Sequence, residues 1–490
     1  MYKRQPSKEH QLTVGQDGVY HPILCNDNTL GPTLTKLTST LCDEAFHFEQ
    51  WLTSSYMPTP TIIEAAQALY RGHDVKEISR SDAGAYNLSL TTKALNRIIE
   101  QSKQHHEKSI CFVTGVPGAG KTLVGLNIAN ERHQYDEQEH AVFLSGNGPL
   151  VAVLREALAR DEIKRFKGKI TKTASKRKVA AFIQNIHHFR DAYLPPSEQI
   201  PAEKVAIFDE AQRAWTKEQT AKFMLKRHVP GWNMSEPEFL ISVMDRHQDW
   251  TVIICLIGGG QEIHTGEAGL LAWFDALRDH FPDWNVYVSP QISDVEYTHG
   301  KQLEHLFTGL RLYREPNLHL SVSLRSFRNE RVSAFVKSLL DENLPVAQQL
   351  YSELSPNYPI TITRSLEKAQ EWIRAQARGT ERYGLIASSG AKRLRQFGIW
   401  VQSNIQAENW FLNDKEDIRS SYFLEDTATE FDIQGLEIDW AIVAWDADYR
   451  IEKGHFKAYN FTGSSWKTVC KKDAQLYLCL LYTSDAADEA

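Results

Sequence analysis

The sequence predicts an α/β protein with parallel sheets, and three observations lead to that prediction. Short apolar runs of strand length recur along the chain with helical patterns between them, as in proteins whose parallel strands are joined by crossover helices. The runs at 109–114, 205–209 and 251–257 each lead into glycine or acidic residues, and open α/β sheets bind ligands at the carboxyl ends of their strands. At 490 residues, with 42% hydrophobic residues, the chain also exceeds the size of a single hydrophobic core, so two or three domains are expected.

Residues 1–84 are expected to form a small mixed α/β N-terminal segment of unclear role. It contains a strand-like run at 19–25, an apolar-periodic stretch at 46–51 and a helical pattern at 62–72. A remnant of a larger upstream domain is one interpretation. No chemical motif stands out in this segment.

The first domain is expected over 85–315. A helical pattern at 90–101 leads into the strand at 109–114, which a glycine-rich loop separates from an apolar helix at 123–129. A strand at 141–145 follows, and this order of elements predicts parallel pairing.

A second α/β domain is expected over 316–480. It follows a helical, His-containing segment near 301–314 and has a helical pattern at 366–377. Its strand candidates are the apolar or alternating runs at 318–324, 360–364, 384–388 and 438–445.

Composition limits the compartment and the partners. A formal net charge of -7 argues against general attraction to phosphate backbones but permits a local basic stripe. Six cysteines occur without a C-x-x-C pair, and Cys111 and Cys255 lie in apolar runs, which indicates reduced thiols and no zinc site. The first ten residues lack an apolar signal segment, and no stretch approaches the roughly 18 apolar residues of a membrane span. We therefore expect a cytoplasmic protein without a membrane partner.

The segment from Gly115 to Thr122 reads GVPGAGKT and satisfies the phosphate-loop pattern G-x-x-x-x-G-K-[ST]. Glycines let backbone amides surround a phosphate, Lys121 would bridge the β- and γ-phosphates of ATP, and the Thr122 hydroxyl would ligate Mg²⁺. A chance glycine-rich turn is the alternative, which the position between a strand and a helix disfavours. The predicted nucleotide contacts are Gly115, Pro117, Gly118, Ala119, Gly120, Lys121 and Thr122.

An acidic pair follows the strand at 205–209. Asp209 would hold Mg²⁺, and Glu210 would orient and deprotonate the attacking water. Two solvated acids at the start of a loop are the alternative. After the next strand, Gln261 follows three glycines and could sense the γ-phosphate, unless the segment is a plain glycine turn.

Three further features have two interpretations each. The loop at 145–150 could contact a nucleic-acid backbone or be a structural turn. The segment 164–178, with eight Lys or Arg, could bind phosphates or be a solvated basic loop. Trp215, Phe223 and Trp232 could stack on bases, although most aromatic residues belong to cores.

These pieces together resemble the Schlafen-like DNA/RNA helicase domain family, a branch of the superfamily 1 P-loop ATPases. The resemblance runs from about 85 to 450 and implies two RecA-like P-loop domains with parallel sheets. The matching segments, in chain order, are GVPGAGKT (115–122), LSGNGPLV (144–151), IFDEAQRAW (207–215), IGGGQEIHTGEAG (257–269), SLRSFRNERVSAFV (323–336), GLIASSGAKRLR (384–395) and TEFDIQGLEIDW (429–440).

The resemblance assigns roles that spacing alone does not. It implies that Arg325, with Arg328 as the alternative, stabilises charge on the γ-phosphate; an exposed arginine pair is the other interpretation. It places Gln434 and Gly435 at the nucleotide or at a nucleic-acid strand, and Glu437 at the ribose. A tight turn feeding the strand at 438–445 is the alternative there.

One departure from the family concerns the end of the sequence. The resemblance implies an arginine-bearing sixth motif near this point, whereas residues 481–490 resemble a translated sequencing-adapter tail. We therefore expect a truncated reading frame, an incomplete second domain and slow ATP turnover. Similar proteins often carry an upstream nuclease-like region, but no P-D-x(n)-(D/E)-x-K signature is visible.

The expected function is that of an ATP-dependent helicase or single-strand translocase, with ATP and Mg²⁺ as cofactors and single-stranded or partly duplex DNA or RNA as partner. An ATPase switch that controls a partner or nuclease, for example in phage defence or nucleic-acid sensing, is the alternative. A small-molecule kinase is disfavoured because it would not need the second domain.

Overall fold

The computed structural model describes most of the chain. The described residues are 28–39, 60–73, 82–116, 118–135, 140–258, 269–293, 307–322, 327–356, 358–401 and 404–469, with the single positions Cys25 and Ile78. The predicted elements at 19–25 and 46–51 lie outside these ranges, apart from Cys25. The chain divides into two compact units, Met1–Met57 and Pro58–Ala490. In the first unit the structure describes one helix, α1 (Leu30–Ser39).

Two of the described helices lie at the start of the second unit. Helix α2 (Ile62–Tyr70) begins with a capping box, in which Thr61 and Glu64 satisfy each other's free backbone amides. Its apolar face, including Leu69, is buried. Helix α3 (Asp82–His105) then delivers the chain to the first strand, as the sequence predicts.

A large parallel sheet forms the centre of this unit, in the order β3-β2-β4-β5-β1-β6-β7. Its strands are β1 (Lys108–Gly115), β2 (Ala141–Ser145), β3 (Ile183–Asn185), β4 (Val205–Asp209), β5 (Thr251–Leu256), β6 (Asn285–Val288) and β7 (Arg311–Arg314). Every residue of the central strands β2, β4 and β5 is buried. A sheet covered by helices on both faces requires such continuous apolar strands.

Helices cover the two faces of this sheet. They are α4 (Lys121–Tyr135), α5 (Gly148–Arg165), α6 (Lys172–Phe182), α7 (Ile186–Ala192), α8 (Lys217–Lys226), α9 (Glu236–Met244) and α10 (Gly269–His280). The side chain of Asn147 caps α5 by accepting a hydrogen bond from the amide of Leu150.

Three predicted elements differ from the structure. Residues 311–314 form strand β7 and not the end of a helix, because they add to the edge of the sheet beside β6. Of the strand predicted at 318–324, residues 323 and 324 lie outside the described ranges, and among 318–322 only His319–Leu320 (β8) forms a strand, which pairs with β1 of the large sheet and not with a second sheet. Residues 360–364 alternate like a strand but form none, since no strand within the described ranges pairs with them and Ile362 is 97% exposed.

A second, smaller parallel sheet has the order β10-β9-β11. Its strands β9 (Tyr383–Ala387), β10 (Thr427–Ala428) and β11 (Trp440–Ala444) include those predicted at 384–388 and 438–445. The helices of this region are α11 (Phe327–Leu340), α12 (Leu344–Leu354), α13 (Leu366–Gln376), α14 (Ala407–Leu412) and α15 (Glu430–Ile433). An antiparallel sheet of β12 (Tyr449–Glu452), β13 (His455–Phe461) and β14 (Trp466–Thr468) follows.

One buried apolar cluster is shared by the two parallel sheets. It contains Leu154 of α5 on the first sheet, together with Trp410 of α14 and Ile433 of α15 on the second. Helix α5 is therefore packed from both sides. Among the described helices, none combines the length and the apolar character that crossing a membrane would demand.

Candidate nucleotide site and its contact with the second sheet

The phosphate loop joins β1 to α4 at the carboxyl edge of the large sheet. Gly118 and Gly120 have φ angles of 68° and 84°, a left-handed conformation that favours glycine. The Lys121 ammonium donates hydrogen bonds to the carbonyl oxygens of Gly115 (2.9 Å) and Val116 (3.2 Å). Its charge is therefore held at the mouth of the loop. Ala119 is buried against the core, and Pro117 lies outside the described residues.

Thr122, the second residue of α4, faces Asp209, the last residue of β4. The Thr122 hydroxyl lies 3.3 and 3.5 Å from the two carboxylate oxygens of Asp209. Burial and the neighbouring charge of Glu210 raise the pKa of Asp209, whereas the Thr122 hydrogen bond and the Lys121 charge lower it. A buried carboxylate of this kind is stabilised in its charged form by a nearby cation.

The residues present fit a nucleotide with Mg²⁺. Hydroxyl and carboxylate oxygens are the hard ligands that Mg²⁺ prefers, and Thr122 and Asp209 supply one of each. The amides of the loop and the amino terminus of α4 suit phosphate groups. Mg²⁺, when bound, neutralises charge on the β- and γ-phosphates.

Glu210 is held in an unusual conformation beside Asp209. Its φ angle is 52°, and it precedes the 3₁₀ helix Ala211–Arg213. The side-chain amide of Gln212 donates to one Glu210 oxygen, and the amide oxygen of Gln212 accepts from the backbone N–H of Gly258 at 3.1 Å. Gln212 therefore fixes Glu210 against the end of strand β5.

Gln434, which directly follows α15 beside the second sheet, contacts Arg213 of this 3₁₀ helix. When its amide is oriented to match its neighbours, its oxygen accepts hydrogen bonds from both Nη atoms of Arg213, at 2.5 and 2.8 Å. Its backbone oxygen also accepts a hydrogen bond from the side chain of Asn147. Gly435 has a φ angle of 75°, and Glu437 is half-buried. The loop at 434–437 and the acidic pair therefore share one neighbourhood.

Two predicted catalytic residues, Gln261 and Arg325, lie outside the described residues. Arg328 lies in helix α11, and nothing is described of its side chain. Leu320, five positions before Arg325, accepts a hydrogen bond from the Val116 amide at 3.0 Å. Strand β8, which pairs with β1, therefore ends five positions before Arg325 in the sequence.

The three candidate stacking residues take part in internal contacts. The guanidinium of Arg190 lies 4.8 Å from the ring centroid of Trp215 and 4.3 Å from that of Phe223. Trp232 packs edge-on against Phe239 with 5.1 Å between centroids. These contacts favour the packing interpretation.

The basic segment at 164–178 is partly neutralised by α5. Four of its eight basic residues form ion pairs with buried acids: Arg165 with Asp161, Lys172 and Lys176 with Glu156, and Lys178 with Glu162. Although burial opposes it, hydrogen bonds from the cations around Glu156 lower the pKa of that carboxyl to about 2. Half of the segment therefore has a structural role.

Sequence reasoning missed Gln212 and Arg213 as site residues. Both directly follow the acidic pair, so their position was a usable signal. Their partners, Gly258 and Gln434, lie 46 and 221 positions further along the chain, and only the fold brings them together.

One of the comparisons with known proteins shows the family of this chain. No characterised protein matches the sequence significantly. Among solved structures, the crystal structure of the Pyrococcus furiosus Hef helicase domain aligns over 72% of this chain and 90% of that chain, with 12% identity and a TM-score of 0.25. A model of the Schlafen group 3 DNA/RNA helicase domain matches residues 108–487. With a phosphate loop, an acidic pair and a second parallel sheet inside the matched region, the chain belongs to the Schlafen group 3 DNA/RNA helicase domain family.

Proposed function

We propose that the protein is an ATP-dependent helicase or single-strand translocase that hydrolyses ATP between two RecA-like domains. The domains are those expected at 85–315 and 316–480, with β8 returning the chain briefly to the first sheet. The observation that carries the proposal is that Arg213, whose guanidinium lies 3.9 Å from Glu210, hydrogen-bonds to Gln434 beside the second sheet, while Thr122 and Asp209 face each other at the edge of the first. A motor needs its hydrolytic groups at such a junction, because turnover must change the relation of the two domains.

The proposed roles follow from chemistry and position. Lys121 neutralises phosphate charge, and Thr122 and Asp209 hold Mg²⁺. Glu210 accepts a proton from the attacking water. Gln212 helps to orient the Glu210 carboxylate, because its side-chain amide donates a hydrogen bond to it. Gln261 senses the γ-phosphate, and Arg325 stabilises charge on it.

The remaining contacts and partners are also part of the proposal. Gly115, Pro117, Gly118, Ala119 and Gly120 surround the phosphates, and the loop with Gln434, Gly435 and Glu437 contacts nucleotide or strand. The nucleic acid is single-stranded or partly duplex, and the compartment is the cytoplasm.

A switch that binds ATP without unwinding is the second candidate. The apolar cluster that α5 shares with α14 and α15 favours it, because buried apolar contacts resist wide separation of two domains.

The test is ATP hydrolysis at saturating ATP with and without single-stranded DNA and RNA, followed by a strand-displacement assay. The motor requires hydrolysis that a single strand stimulates, and displacement then distinguishes a helicase from a single-strand translocase. Hydrolysis without stimulation would favour the switch. Absence of hydrolysis in every condition would refute both, and Lys121→Ala serves as the inactive control.

A further inference from the structure

We propose that Arg213 is a positioning residue that couples the Gln434 loop to Glu210. Through it, a movement of the second sheet changes the orientation of the hydrolytic carboxylate. This inference rests on the proposed function, because it presumes that Glu210 acts on water and that nucleic acid stimulates hydrolysis.

The contacts form a continuous chain across the two sheets. The Nε atom of Arg213 lies 3.9 Å from an Oε2 atom of Glu210. Both Nη atoms of the same guanidinium donate to the side-chain oxygen of Gln434. On its other side, Gln434 is held through its backbone by Asn147, which also caps α5.

The guanidinium is suited to relay a movement. It is planar and fixes its donors in a rigid fork, so a shift of an acceptor that binds both Nη atoms turns the whole group. The Nε edge of that group faces Glu210, so a rotation at Gln434 changes the distance to the carboxylate. The side chains of Arg213 and Glu210 are 24% and 34% exposed, which leaves their charges only partly screened by water.

Gln434 is well placed to transmit displacement of the second sheet. It lies between the buried residues Ile433 and Leu436, and Gly435 beside it adopts a left-handed conformation. A side chain anchored in such a turn moves with its domain and does not adjust independently.

The competing explanation is that Arg213 only holds the two domains together and has no effect on Glu210. Arg160 provides a matched comparison. Arg160 of α5 also reaches the second sheet region, donating to the Leu412 carbonyl at 3.0 Å and to Asn413 Oδ1 at 2.8 Å. These two partners are the last residue of α14 and the residue after it, and neither contacts Glu210 in the described structure. If an arginine that links the two domains is all that stimulation requires, replacing Arg160 and replacing Arg213 will lower the stimulated rate equally.

The experiment compares the full chain with Arg213→Gln, Gln434→Leu, the double variant and Arg160→Gln. For each, the turnover number is measured at saturating ATP with and without single-stranded DNA or RNA, and ATP affinity and melting temperature are recorded. We expect Arg213→Gln and Gln434→Leu each to lower the stimulated rate by about tenfold, a usual size for coupling between sites. Because Gln434 also belongs to the proposed nucleotide or strand contacts, the deciding readout is the ratio of stimulated to basal rate, and the double variant should lower this ratio no more than either single variant does.

Several outcomes decide against the coupling. Unchanged stimulation in Arg213→Gln, multiplicative losses in the double variant, or an equal loss in Arg160→Gln would each overturn it while leaving hydrolysis intact. A wild-type chain that hydrolyses ATP without stimulation would also overturn the coupling, and with it the motor. A wild-type chain without any hydrolysis would instead refute the proposed function itself.

Discussion

The hydroxyl of Thr122 and the carboxylate of Asp209 lie 3.3 Å apart although 87 positions separate them in the chain. This proximity arises because β1 and β4 are both neighbours of β5 in the parallel sheet, so their carboxyl ends open on the same edge.

Removing Lys121 and removing the acidity of Glu210 should have separable effects. Lys121→Ala should weaken ATP binding, because in the proposed site the Lys121 ammonium neutralises charge on the phosphates. Glu210→Gln should keep ATP binding and lower hydrolysis by at least about 100-fold, as loss of a general base commonly does. Nucleotide titration and single-turnover hydrolysis measure the two, and Lys217→Ala, an exposed lysine on α8, is the control. Equal loss of binding in both variants would contradict the role of Glu210.

Gly258→Ala should impair hydrolysis while ATP still binds. A β-carbon at this position would stand 2.9 Å from the Gln212 amide nitrogen and 3.0 Å from a Glu210 oxygen, so the carboxylate must shift. In Gly146→Ala, directly after strand β2 of the same sheet, the added β-carbon meets its nearest atom at 3.8 Å, so this variant is the matched control. Both variants are assayed for hydrolysis without nucleic acid, and normal activity in Gly258→Ala would show that the placement of Glu210 is not critical.

The buried ion pair of Arg190 and Glu236, with 2.9 Å between their charged atoms, should be essential for stability. Arg190→Met leaves Glu236 unpaired and should lower the free energy of unfolding by about 3–5 kcal/mol. The double variant Arg190→Met/Glu236→Gln should recover much of this loss, since the neutral amide can still accept a hydrogen bond from the Trp215 amide. Chemical denaturation followed by fluorescence measures both.

The loss in Arg190→Met should also depend on pH. Burial raises the pKa of Glu236, and Arg190 opposes that rise, so removing the arginine raises the pKa further. A carboxyl with a raised pKa in the folded state destabilises the fold as pH increases above its unfolded value. The deficit should therefore be smaller at pH 5 than at pH 8, and a deficit independent of pH would exclude Glu236 as its cause.

Within the basic segment, binding of nucleic-acid phosphates and stability of the fold should depend on different lysines. Lys167 and Lys169 are exposed, and the double replacement by Glu should weaken single-strand binding and reduce its salt dependence. Lys172→Ala and Lys176→Ala together should instead lower the melting temperature, because Glu156 loses two of its ion-pair partners. Binding measured from 50 to 200 mM salt, beside thermal melts, separates these effects; unchanged affinity after the first replacement would indicate a solvated loop.

Much of the first sheet could be predicted from sequence because its strands are apolar on both faces and the phosphate-loop pattern is specific. Strand β7 could not, since its burial is slight and its stability comes from pairing with β6. The run at 360–364 has a strand's alternation, but no described strand pairs with it, and sequence periodicity does not reveal whether a run finds a partner. In the site, Thr122 and Asp209 were predictable from their motifs, whereas the contact of Arg213 with Gln434 depends on how the two sheets pack.

Helix α5 packs against elements of both parallel sheets, and this packing restricts how the second sheet can move relative to the first. Buried side chains of α14 and α15 that interlock with one helix can swivel about its axis, but pulling them off would expose apolar surface to water at a cost proportional to its area. In the proposed motor, the second sheet should therefore rotate about the axis of α5. Small rotations at this helix would become larger displacements at the edge of the second sheet that lies farthest from it.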